Sequence, residues 1–186
     1  MLTLDRNLVH RFGLLLVILF VGLALSLLTD TFLSVANFTN VARQISINGI
    51  LAVGVTFVLL TAGVDLSLGS VVALSGVACS TFAHPGDHSV FVPIAVGLLT
   101  GAACGLVNGV LVTRGGVAPF IVTLGMMTIA RGLALIVSGG RPVADMSNEL
   151  TALAGDFLGV PIPVLCFAGV AAAAWFFLRN FRLGRH

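Results

Sequence analysis

Two charged residues stand inside long apolar stretches, and any chemistry would begin with them. Asp65 lies in Gly63-Val64-Asp65-Leu66-Ser67-Leu68-Gly69-Ser70, and Arg131 in the otherwise uncharged run from Phe120 to Ser138. A charge at the centre of a membrane helix costs at least ~2.5–3.5 kcal/mol on insertion scales, so each needs a reason to be there. Asp65 has two readings: a polar group lining a path or pinning a broken helix, or a cap accepting from the amides of Ser67 or Leu68. Gly63 and Gly69 favour a bent backbone around it. Arg131 sits about 12 residues, or roughly 18 Å of helical rise, from the inner end of its run. An Asp65–Arg131 ion pair would require a break in the second or third apolar segment. Asn48 and Asn108 each precede glycine, in Asn-Gly-Ile-Leu and Asn-Gly-Val-Leu. Buried amides in lipid bond across helices, and these could also meet a polyhydroxyl solute. Ser67, Ser70, Thr123 and Thr128 belong to the same class.

Catalytic constellations are missing. Gly63-Val64-Asp65 is only loosely similar to the GxGD motif of intramembrane aspartyl proteases. Those need two carboxylates to share the acid and base roles, and Asp65 is the one acid in or bordering the apolar core. All four histidines fall in loops or termini, so no Ser/His pair forms within the membrane. No Walker loop is present to cradle a nucleotide phosphate. Cys79, Cys104 and Cys166 are isolated inside apolar runs and read as small packing residues. The expectation is a protein that is not an enzyme, with no metal and no cofactor. A net charge of +2 gives no reason to expect nucleic acid.

The elements that must hold these residues follow from composition. Of 186 residues, 58% are hydrophobic and 9% charged, and the mean hydropathy is +1.14. Soluble domains average about 25% charged residues, so a water-soluble fold is excluded. Spanning a hydrocarbon core takes roughly 20 apolar residues per helix. Apolar runs lie at Phe12 to Leu28, Ile45 to Ala62, Leu68 to Ala83, Val90 to Thr113, Phe120 to Ser138 and Ile162 to Leu178. The first follows Arg6 and Arg11 and could be a signal peptide, but its length and the weak Ser34-Val35-Ala36 cleavage match favour an uncleaved span. Thr29 to Arg43 reads as a polar connector outside the hydrocarbon, and residues 139–160 as a polar segment. The fold class is all-α: a polytopic transmembrane bundle of about six spans, residues 1–186 forming one transmembrane domain. Six crossings place Arg6, Arg11, Arg114, Arg179, Arg182 and Arg185 on one side, and Arg43 and Arg141 on the other. That asymmetry makes both termini cytoplasmic. The connection between the second and third runs reads either as a tight cytoplasmic turn or as a break within the membrane.

The fourth run carries Gly97, Gly101, Gly105 and Gly109, three successive GxxxG steps on one helical face. Such a stripe lets another backbone approach closely, and the expected role is helix packing.

Two stretches resemble a known family. Ile47 to Gly76, INGILAVGVTFVLLTAGVDLSLGSVVALSG, and Gly105 to Val143, GLVNGVLVTRGGVAPFIVTLGMMTIARGLALIVSGGRPV, are similar to the permease subunits of ribose-type ABC sugar importers. Phe181-Arg182-Leu183-Gly184-Arg185 resembles the start of the family's cytoplasmic coupling region. The resemblance covers essentially residues 37–185. It implies a subunit of the inner membrane that works as a homodimer or paired permease among membrane lipid. Its implied partners are a cytoplasmic ATPase subunit, faced by Arg182, Gly184 and Arg185, and a periplasmic solute-binding protein. Family members continue past this point into a coupling helix and further spans, so the chain reads as the N-terminal part of a longer domain. The implied function is a translocation path for a monosaccharide or related solute. Asp65, Arg131, Asn48, Asn108, Ser67 and Thr123 would form that path or its polar core. An ion-coupled carrier or channel is the alternative.

Overall fold

The computed structural model describes residues 6–86 and 88–180, with side chains from Phe12 onward. Its helices in chain order are α1 (Arg6–Leu28), α2 (Val35–Leu60), α3 (Leu68–Thr81), α4 (Phe91–Thr113), α5 (Pro119–Ser138), α6 (Asn148–Ala152) and α7 (Ile162–Asn180). Two short strands, β1 (Asp156–Phe157) and β2 (Val160–Pro161), precede α7. The chain divides into two compact units, residues 1–45 and 46–186.

The first unit holds α1 and the opening turns of α2. Leu14, Leu27 and Leu28 are each more than three-quarters exposed, as lipid-facing residues would be. Ser34 starts α2: its Oγ accepts from Asn37 N at 3.2 Å, an N-cap geometry. Asn37 Nδ2 donates to Phe32 O at 2.8 Å. The expected connector from Thr29 to Arg43 is therefore mostly helix. Its polar residues are cap and first-turn residues, and the cap decides the boundary.

In the second unit α3 packs against both α4 and α5. Leu74 of α3 is buried with Ala130 and Ala134 of α5, and Val71, Val77 and Cys104 close around them. The alanines let α3 approach α5 closely, which replaces the missing hydrophobic drive between helices in lipid. The glycine stripe on α4 serves the other side. A Cβ on Gly97 would stand 3.2 Å from Cys79 Cβ and 3.4 Å from Ser75 O, and one on Gly101 3.3 Å from Ser75 Oγ. Gly105 and Gly109 have nothing within 4 Å, so the stripe packs along its first half only. On α2 and α7, Phe57 meets Phe177 edge-on at 5.9 Å, and a Cβ on Gly49 would fall 2.5 Å from the Phe167 ring.

Among the described residues α2, α4, α5 and α7 are long and apolar enough to cross a membrane. At 14 residues, α3 rises only about 21 Å, short of a hydrocarbon core of about 30 Å. Its entry is a break: Ala62 turns the end of α2 with φ 56°, and Gly63 N donates to Val58 O at 3.1 Å. Pro119 opens α5, and Gly139 closes it in the left-handed conformation, with Gly140 N donating to Leu135 O at 2.9 Å. The segment expected to be polar and irregular carries α6 and a hairpin pairing Asp156 with Pro161 and Phe157 with Val160. Leu158 and Gly159 both have positive φ, as a two-residue hairpin turn requires. The all-α description thus gains a minor pair of strands. At the end of α7 the guanidinium of Arg179 lies 5.0 Å from the centre of the Trp175 ring.

Candidate functional site

The break between α2 and α3 exposes backbone amides and carbonyls where helical bonding stops, and side chains from three segments meet them. Asp65 Oδ1 accepts two hydrogen bonds, from Ser67 N at 2.7 Å and Ser67 Oγ at 2.6 Å. The first is an Asx-turn, a local bond that bends the chain into α3. Ser67 itself occupies the N-cap position, with no side-chain cap bond of its own. Asp65 therefore acts just ahead of the cap and not as the cap. Since the Ser67 hydroxyl proton points at Asp65, Ser67 Oγ is left as an acceptor. Asn108 of α4 supplies the donor, its Nδ2 lying 3.1 Å away. From α5, Thr123 Oγ1 donates to Val64 O at 3.2 Å and to Phe120 O at 3.4 Å.

Ser67, Asn108 and Thr123 are all buried. Asn108 is five residues short of the end of α4, about 7.5 Å of rise, and Thr123 four residues past the start of α5, about 6 Å. The polar node thus sits more than a helical turn inside the ends of its supporting helices. A cavity of about 360 Å³ opens beside it, lined by Thr61, Gly63, Asp65, Asn108, Gly109 and Thr123 among others. Gly105 and Gly109, the unpacked half of the α4 stripe, form part of its wall.

Arg131 lies elsewhere. It is exposed and lines a groove of about 550 Å³ between α3 and α5, with Leu66, Ser70, Met127 and Ser138. Among the described residues it makes no hydrogen bond or ion pair, and Asp65 makes no bond besides those to Ser67. The Asp65–Arg131 ion pair is therefore not formed. The local turn engages Asp65, and Arg131 faces another cavity. Asn48 is exposed on α2 and joins no side-chain hydrogen bond among the described residues, so its echo of the Asn108 motif is not an echo of place. Arg182, Gly184 and Arg185 lie outside the described residues.

Sequence reasoning missed Thr61 and the carbonyl of Val64, which lie in the break itself. The signal available was the short polar and glycine-containing interval after a long apolar run. Among the described residues no three His, Cys, Asp or Glu side chains gather as a metal centre would require. The node joins the Ser67 hydroxyl, the Asn108 amide and the Asp65 carboxylate. It can orient a polar guest or hold a backbone break.

Comparison with known proteins gives one consistent answer. Residues 37–186 match the family model described as the branched-chain amino acid transport system / permease component. The chain is 36% identical over 188 residues to the ribose import permease protein RbsC of Haemophilus influenzae, covering 98% of this chain and 58% of that protein. Against the ribose import permease protein RbsC of Escherichia coli the identity is 41% over 166 residues, covering 87% and 51%. The L-arabinose ABC transporter permease protein AraH of Azospirillum brasilense is 42% identical over 159 residues, covering 85% and 47%. The chain spans about half the length of the curated relatives it matches. No solved structure matches it. A family match over four-fifths of the sequence, with the node residues Ser67, Asn108 and Thr123 inside it, settles the assignment: this chain belongs to the branched-chain amino acid transport system / permease component family.

Proposed function

We propose that this chain is a permease component of an ATP-binding-cassette importer and contributes to the translocation path for a monosaccharide or related small solute. The observation that carries the reading is the set of relatives, whose names include ribose, D-allose and L-arabinose permeases at 36–42% identity. In this reading the chain lies in the inner membrane, receives solute from a periplasmic binding protein and answers to a cytoplasmic ATPase. It works as a homodimer or with a paired permease. In this reading it supplies the path, and ATP hydrolysis takes place on the separate ATPase. Counting α1 and the short α3 as crossings gives six spans with both termini cytoplasmic, the orientation favoured by the arginine distribution. Asp65, Ser67, Asn108 and Thr123 are the polar core, Arg131 lines the path side of α3 and α5, and Arg182, Gly184 and Arg185 face the ATPase.

The test is solute uptake in a bacterium lacking its own pentose permeases, with a cognate ATPase and binding protein supplied. Uptake should require the permease and vanish when the ATPase loses its Walker lysine. Uptake indifferent to the ATPase but collapsed by an uncoupler would instead establish the ion-coupled carrier. Reporter fusions test the orientation: fused after Gly86 the reporter should be periplasmic, and after Gly116 cytoplasmic.

A further inference from the structure

The hairpin ahead of α7 turns one face to the protein and one away from it. Asp156 pairs with Pro161 and Phe157 with Val160, and side chains alternate between faces along a strand. Pro161 is buried, so its face lies against the chain. Phe157 and Val160 share the opposite face, and both are exposed, Phe157 by 59%. Leu158 stands at the turn and is 89% exposed. The one charge of the hairpin, Asp156, falls on the Pro161 face. Ile162 N, at the first residue of α7, donates to Gly155 O at 3.0 Å, and β2 packs against α7. The hairpin is thus fixed to the end of that helix.

The turn has the wrong residues for water. Leu158 and Gly159 have φ of 52° and 80°. Such a turn favours asparagine or aspartate at its first position, because they tolerate the left-handed region and are polar. Leucine is strained there, and at its exposure no packing within the chain offsets the strain. The helix that follows is also short for its task. α7 is apolar enough to cross a membrane, and its first charge is Arg179, whose guanidinium lies over the Trp175 ring. A tryptophan and an arginine together mark the level of a membrane–water interface. From Ile162 to Arg179 the rise is roughly 25 Å, against about 30 Å of hydrocarbon. The shortfall of about 5 Å falls at the hairpin end.

We propose that the hairpin is a lipid anchor: Phe157, Val160 and Leu158 enter the boundary between headgroups and acyl chains and complete the span of α7. Amphipathic elements enter that layer by about 5–10 Å, enough to make up the missing length. Asp156, on the other face, stays toward water. Burial of Leu158 in lipid supplies the apolar contact that its strained backbone lacks within the chain. Because the hairpin is bonded to the first residue of α7, the anchor fixes the depth of that helix. The inference stands apart from the transport reading, since it holds whichever solute crosses.

The experiment puts a tryptophan on the anchor. Trp175→Phe removes the native emission, and Leu158→Trp or Phe157→Trp is then added to the full chain in phosphatidylcholine nanodiscs. Each reporter should emit at short wavelength. Lipid brominated near the top of its acyl chains should quench each by about twofold or more, and aqueous iodide should quench little. Strong iodide quenching without quenching by brominated lipid overturns the proposal and leaves the face to a soluble partner. Emission shielded from both quenchers also overturns it, because a second copy or another protein segment then covers the face. Phe157→Trp keeps an aromatic side chain and decides the matter if Leu158→Trp fails to fold. Leu158→Asn gives an independent sign. Asparagine relieves the left-handed backbone, so a hairpin in water should gain stability, whereas an anchor in lipid should lose it. A lower midpoint of SDS unfolding supports the anchor, and an unchanged or higher one overturns it.

Discussion

The two ends of α3 are attached to the same neighbours by different physics. At its start, hydrogen bonds do the work: Asp65 turns the chain, Asn108 reaches Ser67, and Thr123 reaches Val64 O. At its finish, closeness does: Gly97 and Gly101 let α4 lie against Cys79 and Ser75, and Ser147 N donates to Ala83 O at 2.6 Å. Polar side chains gather where the backbone is broken and its groups need partners. Glycines gather where the helix is intact and only van der Waals contact can hold it. Lipid offers apolar helices no hydrophobic reward for meeting, so a helix of 14 residues uses a fastening of each kind.

The largest test of this contrast is at the packed end. Gly97→Leu drives a side chain toward Cys79 Cβ and the carbonyl of Ser75, and should cost about 3 kcal/mol, in the upper part of the overpacking range. Unfolding in mixed micelles with increasing SDS would read it, and an unchanged midpoint would break the comparison. Next comes Asp65→Ala at the polar end, which leaves the Ser67 amide and hydroxyl without their acceptor. The expected loss is about 2 kcal/mol, measured the same way. Thr123→Val removes the tie to Val64 O and should cost about 0.6 kcal/mol, the mean for side-chain hydrogen bonds between membrane helices. Smallest is Gly105→Ala. It lies on the same stripe as Gly97 but faces open space, so stability should stay within ~0.5 kcal/mol of wild type. A cost at Gly105 equal to that at Gly97 would mean that the whole stripe packs.

Local features were legible in sequence, and tertiary ones were not. The apolar runs located α4, α5 and α7 to within a residue or two, because hydropathy acts over the length of one helix. The bond from Ser67 N to Asp65 spans two residues, and an aspartate two residues after Gly63 and two before Ser67 announces it. The bond between Ser67 and Asn108 joins residues 41 apart, and no pattern in one sequence encodes that meeting. The ion pair with Arg131 failed for a related reason: charge was visible and direction was not. Asn48 and Asn108 share a motif, yet one is exposed and the other buried. The start of α2 was hidden because Asn37, Asn40 and Arg43 look like connector residues, whereas Ser34 caps a helix that runs through them.

The placement of Trp175 has an optical consequence. It is the sole tryptophan, and the chain has no tyrosine, so emission excited at 295 nm comes from one point near the end of α7. The Arg179 guanidinium over that ring is a cationic neighbour on the indole face. Any event that separates the two should shift the emission wavelength and intensity with no background from the rest of the chain. The protein thus carries a native fluorescent reporter at one end of a helix, and it needs no label to be read.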